Sequence, residues 1–595
     1  MSDARYVVGI DLGTTNTVIS YVDTEAEGDA EISVLPVRQL VAPGVVEAKE
    51  TLPSFLYLAA GPEFAEGALD LPWSKGDQFA VGALARDQGA TVPARVVSSA
   101  KSWLCHSGID RSAPLLPWDA PEDVKKISAL DASARTIEHL RDAWNEEMAK
   151  DDPFCGLENQ DVYLTVPASF DAAARELTLT AAKRAGLMSV TLLEEPQAAF
   201  YAWLAHMGES WRDKLTVGDI ALVCDVGGGT TDFSLIEVKE DKGELLLERI
   251  AVGEHILLGG DNMDLALALT VADRLADTHQ LDPWQTRALW HACCVAKEQL
   301  FVDPALEKAP VTILGRGSKV IGGSIKAELL REDVEAILVD GFFPECDAGD
   351  RPITHSKTGL QEIGLPYAAD AAVNKHMAKF LAEHLGAERF PTAVLFNGGV
   401  MKADSLRGRV SETLERWAGQ PLRQLAAANL DLAVSRGATY YGQVRRGRGV
   451  RIRGGVGRSY YIGIESAMPA VPGMPAPLKA LCVVPFGMEE GTEASIDGKE
   501  FGMVVGEAVE FRFLSSTVRK DDAIGTMVER WPAGEIEELL PIQTSMDGEE
   551  GQDDGATIPV RLHSHVTEVG TLDLQLRNRE GDRSWKLQYY VRDNS

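Results

Sequence analysis

The stretch Tyr6 to Tyr21, YVVGIDLGTTNTVISY, contains the residue types that bind a metal-bridged polyphosphate. An apolar run leads to Asp11, and the chain then turns through GTTN, residues 13 to 16, before a second β-branched run. Such a turn presents backbone N–H groups and hydroxyls to an anion, and its glycine lets the backbone come close. The adjacent aspartate can hold a divalent cation through water. The pattern predicts a phosphate loop, although an ordinary hairpin turn could have the same composition.

A second stretch repeats this arrangement later in the chain. The apolar run Ile220 to Cys224 is followed by DVGGGTTDF, residues 225 to 233, and by a returning strand. Two hairpins of one design predict an internally duplicated fold, in which each half supplies one phosphate loop and one metal-side aspartate. A third glycine pair, at positions 398 and 399, follows another apolar run.

Lys101 and the acids before Pro196 could complete such a site. Lys101 lies in a short element with apolar and small neighbours, although a single lysine is more often a solvated surface residue. Glu194 and Glu195 could simply favour the N-terminus of the helix that follows, or one of them could face a cleft.

The composition argues against several classes of partner. The 595 residues carry a formal net charge of -32, which opposes binding to nucleic acid and to anionic membranes. The 7 cysteines are scattered without a paired spacing, which indicates free thiols in a reducing compartment. We find no signal peptide and no apolar run long enough to span a bilayer, and we expect a cytoplasmic protein.

The elements that must position these residues fall into two regions. Up to residue 441, strands alternate with helices such as Ser128 to Met148, which predicts α/β layers around central sheets. Residues 442–456 are rich in arginine and glycine and indicate a solvated linker, although a basic patch could recruit an acidic partner. Residues 457–595 show alternating apolar patterns, which predict a β domain with a loop at 547–555.

These stretches together resemble the heat-shock protein 70 chaperone family, within the actin-like ATPase superfamily. The matches are GIDLGTT at 9–15, LPS at 52–54, TVPA at 165–168, Glu195 with Pro196, DVGGGT at 225–230, LGGD at 258–261, the glycines at 398 and 399, and Gly437 with Ala438. The resemblance implies a duplicated actin-like, ribonuclease H-like α/β ATPase domain of two lobes over residues 1–441. It further implies the linker at 442–456 and, at 457–595, an all-β sandwich that binds substrate or partner, here without a helical lid.

The resemblance also implies ATP with Mg2+, and K+ as a further cation, bound between the lobes. Asp11, Asp225 and Asp232 would hold the metal. Lys101 would contact the γ-phosphate and Glu195 would orient the attacking water, with Asp225 and Thr230 also among the catalytic residues. The residues that would bind the nucleotide are Gly13, Thr14, Thr15, Asn16, Gly227, Gly228, Gly229, Thr230, Gly259, Gly260, Lys297, Gly398, Gly399 and Lys402.

The chain departs from the family in three places. Cys294, Glu298 and Phe301 replace a carboxylate, an arginine and a serine of the adenosine pocket, and Lys402 replaces an arginine that stacks on adenine. Thr191 and Val456 replace residues used with J-domain partners. The family's leucine-rich linker coincides with IRGGV, residues 452–456, from which we expect no apolar strand that docks on the lobes.

Our leading hypothesis is an ATP-dependent chaperone whose lobes close on ATP-Mg and control the binding of unfolded or client polypeptides by the β domain. A co-chaperone or a nucleotide-exchange factor would be a further partner, and neither nucleic acid nor membrane is expected. The alternative is an actin-like, nucleotide-dependent scaffold that recruits one dedicated protein. A small-molecule kinase is a third hypothesis.

Overall fold

The structure is a computed structural model of the chain. It describes residues 4–26, 31–89, 91–106, 109–118, 120, 124–241, 244–315, 323–354, 365–386, 389–426, 429–465, 478–489, 491–496, 500–504, 508–539, 541–545, 557–567, 572–579 and 583–589. The loop predicted at 547–555 lies outside these residues.

Each lobe is built on a sheet with the same strand order. In space, the first sheet contains Val190–Glu194, Asp161–Val166, Tyr6–Leu12, Asn16–Asp23 and Ser33–Val34, with Leu52–Pro53 also paired to Asn16–Asp23. The second contains Arg423–Leu425, Ala393–Asn397, Ile220–Val226, Thr231–Asp241, Glu244–Val252 and Ile452–Arg453. In both, the opening hairpin is antiparallel and its first strand pairs in parallel with the neighbour on its other side. The predicted duplication is confirmed.

Helices cover these sheets, and smaller sheets extend each lobe. The first lobe has helices Ala83–Gly89, Ala100–Leu104, Ala129–Met148, Ala172–Arg184 and Glu195–Met207. The second has Gly260–Leu275, Pro283–Val302, Arg331–Val334 with the π-helix Glu335–Phe342, Val373–Leu385 and Asp404–Ala418, and Ala433–Arg445 packs between the lobes. The smaller sheets pair Val37–Ala42 with Val45–Lys49, Leu56–Leu58 with Phe79–Val81 and Val96–Val97, and Lys308–Leu314 with Ser324–Leu330.

Two glycines allow the helix Ala433–Arg445 to lie close to the first lobe. A Cβ added to Gly437 would stand 1.7 Å from the carbonyl oxygen of Ala198, and one added to Gly9 would stand 2.3 Å from that of Ser435. Any side chain at either position would therefore separate the helix from the strand Tyr6–Leu12 and from the helix Glu195–Met207. This contact holds the first strand of the first hairpin in place against the helix.

The C-terminal region is a two-sheet β-sandwich, as predicted. One sheet contains Met527–Val528, Leu478–Val484, Ser459–Glu465, Phe513–Ser516 and Glu537–Glu538. The other contains Glu493–Ser495, Thr557–Val566, Leu572–Asn578, Ser584–Tyr589, Ile542–Ser545 and Ala508–Phe511, with Phe501–Val504 paired to Thr557–Val566. Alternating residues of both sheets, such as Ile462 and Leu574, form its core, and Ala172 of the first lobe joins that core.

The expectation that residues 452–456 form no docking strand is wrong. Ile452–Arg453 pairs in parallel with the strand Glu244–Val252, so a docking strand does form on the second lobe. Strand pairing uses backbone groups, and a single apolar side chain is enough to anchor this short strand, because Ile452 is 3% exposed within the core between the lobes. Its backbone N–H also donates to the hydroxyl of Tyr201 at 3.0 Å.

The β domain contacts both lobes beside this strand. Arg458 Nη2 donates to the carbonyl oxygen of Ser169 at 2.9 Å, and Lys520 Nζ donates to that of Ile250 at 2.6 Å. Arg249 reaches from the second lobe to Glu194 of the first and to the carbonyl oxygen of Gly455 in the linker. The β domain is therefore seated where the two lobes meet.

The cysteines and the helices agree with the expectations from composition. All seven cysteines are free thiols, and five of them are buried. Among the described residues, none of the helices has the length and apolar character needed to cross a membrane.

Candidate functional site

The tips of the two hairpins face each other across the cleft between the lobes. A Cβ added to Gly228 would stand 2.1 Å from Thr15 Oγ1, and one added to Gly229 would stand 3.1 Å from Thr14 Cγ2. Glycine at both positions is therefore what allows the tips to meet. Thr14 and Thr15 of the first hairpin are thereby brought against Gly228 and Gly229 of the second, while Gly13 packs on Asn16 and Gly227 N donates to the carbonyl oxygen of Thr230 within their own hairpins.

Lys101 and Glu195 form a buried ion pair behind these tips. Their side chains are only 9% and 12% exposed, so the surface interpretation of Lys101 is wrong. The helix Ala100–Leu104 carries Lys101, and Glu195 opens the helix Glu195–Met207. The neighbouring Glu194 points elsewhere and pairs with Arg175 at 2.7 Å and with Arg249. Of the two acids before Pro196, Glu195 is the one that reaches the cleft.

Three aspartates surround this pair. Thr165 Oγ1 donates to Asp11 at 3.2 Å, and Asn397 Nδ2 donates to Asp225 at 2.7 Å. The third, Asp232, accepts a hydrogen bond of 2.5 Å from Ser169 Oγ. Asp225 and Asp232 are buried, and each aspartate therefore keeps a defined position through a neutral donor.

The electrostatics show an excess of buried negative charge. Burial, followed by the carboxylate of Glu195, raises the pKa of Asp11 to about 7 and that of Asp225 to about 8. Burial alone would lower the pKa of Lys101, but the carboxylates of Glu195 and Asp11 overcome this effect and raise it. Burial also raises the pKa of Glu195 and of Asp232. The single ammonium group of Lys101 is thus surrounded by four carboxylates, those of Asp11, Glu195, Asp225 and Asp232.

This donor set fits a hydrated Mg2+ bound with a polyphosphate. Carboxylate oxygens are the hard ligands that Mg2+ prefers, and a divalent cation would balance the charge that Lys101 leaves uncompensated. Among the described residues, no three His, Cys, Asp or Glu side chains converge closely enough to hold a metal ion directly. Mg2+ usually keeps several of its waters, so contacts through water agree with this spacing.

The two lysines predicted to bind the nucleoside each form an ion pair with an aspartate. Lys297 pairs with Asp264 at 2.6 Å, and the two side chains are only 11% and 7% exposed. Lys402, in contrast, is half-exposed and pairs with Asp431 at 2.5 Å. Cys294 lies on the same helix as Lys297 and is partly buried.

Three glycines complete the second lobe's side of the cleft. Gly260 N donates to the carbonyl oxygen of Gly227 at 3.0 Å, and a Cβ on Gly259 would stand 2.6 Å from the carbonyl oxygen of Gly228. Gly398 has φ +87°, and a Cβ there would also meet Val226 O at 2.2 Å. Gly399 follows in a 3-10 turn. Gly259, Gly260 and Gly398 therefore pack against the second hairpin, whereas a Cβ on Gly399 would meet no heavy atom within 4 Å.

Several residues of the site were not predicted. Asn397 stands directly before the third glycine pair, and its place at the end of a buried strand could have indicated a role beside Asp225. Ser169 and His255 gave no such signal, because their contacts join segments far apart in the chain. Asp261 meets Ser99 of the first lobe at 3.3 Å, and burial raises its pKa to about 7.

Comparison with known proteins agrees with this geometry. The family described as "Hsp70 protein" matches residues 74–340 of the chain. "Chaperone protein HscA homolog" of Pseudomonas fluorescens is 27% identical over 428 residues, which cover 69% of this chain and 59% of that protein. The protein of the same name from Pseudomonas aeruginosa is 28% identical over 420 residues, which cover 68% and 59%. "Chaperone protein HscA" of Salmonella paratyphi C is 32% identical over 298 residues, which cover 49% and 42%.

The chain resembles the Hsp70 family over residues 74–340 and the HscA homologues of Pseudomonas over 420 to 428 residues. The two-lobed actin-like domain and the β-sandwich are the fold that the family resemblance predicts. The chain spans 59% of the length of the Pseudomonas relatives that it matches.

Proposed function

We propose that this protein is an ATP-dependent chaperone that binds and hydrolyses ATP-Mg between its two lobes. The observation that carries the proposal is the convergence of the two glycine-threonine hairpins in front of the buried pair Lys101 and Glu195. The relatives are named as chaperones, which supports the same assignment. A cytoplasmic location and the division of the chain at residues 441 and 457 are part of the proposal.

The residues of the site would divide the work as phosphoryl transfer requires. Mg2+ would neutralise phosphate charge, and Asp11, Asp225 and Asp232 would bind the water molecules that coordinate it. Backbone N–H groups and hydroxyls of both hairpins would orient the phosphates. Lys101 would stabilise negative charge on the transferred group. Glu195, whose pKa is raised by burial, would orient the attacking water and accept its proton.

The β domain would respond to the nucleotide through its seat on both lobes. A movement of one lobe against the other must disturb the contacts of Arg458 with the first lobe and of Lys520 with the second. Unfolded or client polypeptides would bind to an edge or groove of the sandwich, where an extended segment can add to a sheet. A co-chaperone or a nucleotide-exchange factor would regulate the cycle.

The docked linker removes a reason for preferring a scaffold. That alternative rested on the arginine-rich linker and on the expectation that residues 452–456 cannot dock, and the second of these is wrong because Ile452–Arg453 adds a strand to the second lobe. Capture of clients after mild crosslinking separates the two functions, because many unfolded polypeptides support a chaperone and one stoichiometric protein supports a scaffold.

The test of the ATPase site uses substitutions that keep side-chain size. Lys101→Met and Glu195→Gln should each lower ATP turnover by about a hundredfold or more, because the first removes the charge that acts on the transferred group and the second removes the base that accepts the proton of the attacking water. Thermal melting should show that both variants stay folded. Lys150→Met, at an exposed lysine whose side chain is 69% exposed, is the control and should leave turnover unchanged. Full turnover by folded Lys101→Met would contradict the proposal.

A further inference from the structure

Three side chains form a hydrogen-bonded chain that crosses between the lobes beside the candidate metal site. Ser169 Oγ lies 2.5 Å from Asp232 Oδ1 and 2.6 Å from His255 Nδ1. Ser169 belongs to the first lobe, in the loop between the strand Asp161–Val166 and the helix Ala172–Arg184. Asp232 and His255 belong to the second lobe. The chain therefore exists only while the lobes are together.

The hydrogen-bonding capacity of serine gives this chain a direction. A hydroxyl has one hydrogen to donate, and a carboxylate can only accept. Ser169 therefore donates to Asp232 and accepts from the Nδ1–H of His255. This network assigns the Nδ1–H tautomer to His255 and leaves Nε2 as a bare acceptor. Within the described part of the chain, Nε2 is buried without a hydrogen-bond partner, so the ring's one donor is used on Ser169.

Asp232 depends on these contacts for its orientation. It is 4% exposed, and within the described residues it forms no ion pair with a lysine or arginine. Its hydrogen bonds come from the hydroxyls of Ser169 and Thr230. A hydroxyl that is itself held by a histidine has less freedom to rotate, and it therefore holds the carboxylate more firmly. Phe170 packs edge-on against the His255 ring at 6.4 Å and limits its movement.

We infer that Ser169 and His255 are positioning residues for Asp232, so that its orientation at the metal depends on closure of the lobes. The inference rests on the proposed function. When the lobes separate, Ser169 leaves Asp232, and the carboxylate loses the hydrogen bond that aims it. Cation binding and lobe closure are then coupled through one hydroxyl, because each favours the other.

The experiment measures Mn2+ binding to the full chain in the presence of ADP, by electron paramagnetic resonance. Ser169→Ala and His255→Leu should weaken Mn2+ binding by about tenfold, since each breaks a buried hydrogen bond to or next to a carboxylate. His255→Asn is the rescue variant, because an asparagine amide can place its N–H near the position of Nδ1–H. It should bind Mn2+ within about twofold of the wild type.

Ser234→Ala is the matched control for these variants. Ser234 lies two positions after Asp232 in the same strand, is 2% exposed, and its hydroxyl has no hydrogen-bond partner within the described residues. Its removal should leave Mn2+ binding unchanged. Thermal melting identifies any variant that fails to fold, and the pair His255→Leu and His255→Asn decides the question if Ser169→Ala is unstable.

The outcomes separate the inference from the function on which it rests. If the wild type binds Mn2+ with ADP and Ser169→Ala and His255→Leu bind it equally well, the inference is wrong and the proposed function stands. Equal weakening by His255→Asn and His255→Leu would also contradict it, because the donor would then not matter. A wild type that binds neither Mn2+ nor nucleotide overturns both. A 15N chemical shift for protonated Nδ1 and bare Nε2 would support the assigned tautomer.

Discussion

Contact between the hairpin tips depends on the absence of a side chain at Gly228. Its added Cβ would stand 2.1 Å from Thr15 Oγ1, and the β-branched Thr15 has few rotamers with which to move away. We predict that Gly228→Ala keeps the lobes from closing and lowers single-turnover ATP hydrolysis by about tenfold or more. Rapid-quench measurements check this. Gly408→Ala is the control, because Gly408 lies in a helix and its added Cβ has no heavy atom within 4 Å, and this variant should hydrolyse ATP normally. Normal hydrolysis by Gly228→Ala would contradict the prediction.

At the residue scale, the sequence predicted the groups that follow a local pattern. Glycines and threonines next to an aspartate recur after two apolar runs, and the structure brings both sets together. Ser169, His255 and Asn397 escaped prediction, because each owes its position to a partner on a distant segment. For Lys101 the local pattern alone favoured a surface residue, and only the family resemblance predicted a place in the site, because its partner Glu195 lies on another helix.

The linker strand is the element whose prediction failed. The few apolar residues in positions 452–456 predict no docking strand, whereas docking needs only backbone pairing and one buried side chain. Ile452 supplies that side chain, and Arg453 beside it is exposed. The predicted helix Ser128 to Met148 was confirmed as Ala129–Met148 with Ser128 as its cap, because helical periodicity is a local property.

At the element scale, we predict that Ile452→Glu releases the linker from the second lobe. Placing a carboxylate in the core between the lobes costs more than the few kcal/mol of a lost apolar contact, unless the strand leaves. Hydrogen exchange should show loss of protection over residues 447–458, while the lobes stay protected. Arg451→Glu is the control, because that side chain is 63% exposed, and it should keep the protection. Full protection in Ile452→Glu would contradict the assigned strand.

At the scale of the whole molecule, the duplicated lobes and the β-sandwich could be predicted, and their mutual placement could not. Each half repeats one local pattern, so both sheets follow from the sequence. The sandwich contacts the lobes and the linker through Arg458, Lys520 and Arg249, three charged residues in segments that the alternating apolar pattern leaves unmarked. Such contacts depend on the assembled surfaces and have no periodic signal.

Lys520 makes the seating of the β domain sensitive to pH. Burial lowers the pKa of Lys520 to about 8, whereas an exposed lysine titrates near 10.4. Between pH 8 and pH 10, the docked domain therefore binds fewer protons than the undocked domain, and docking strengthens as the pH rises. Below pH 8, Lys520 is charged in both states, and docking bears the full free-energy cost of burying that charge. Lys520→Met should remove this pH dependence and tighten docking several-fold at pH 7, even though it loses the hydrogen bond to Ile250. Protection of residues 447–458 from exchange, measured from pH 7 to 10, tests this. Lys150→Met should keep the wild-type profile, and an unchanged profile in Lys520→Met would show that another group controls the seat.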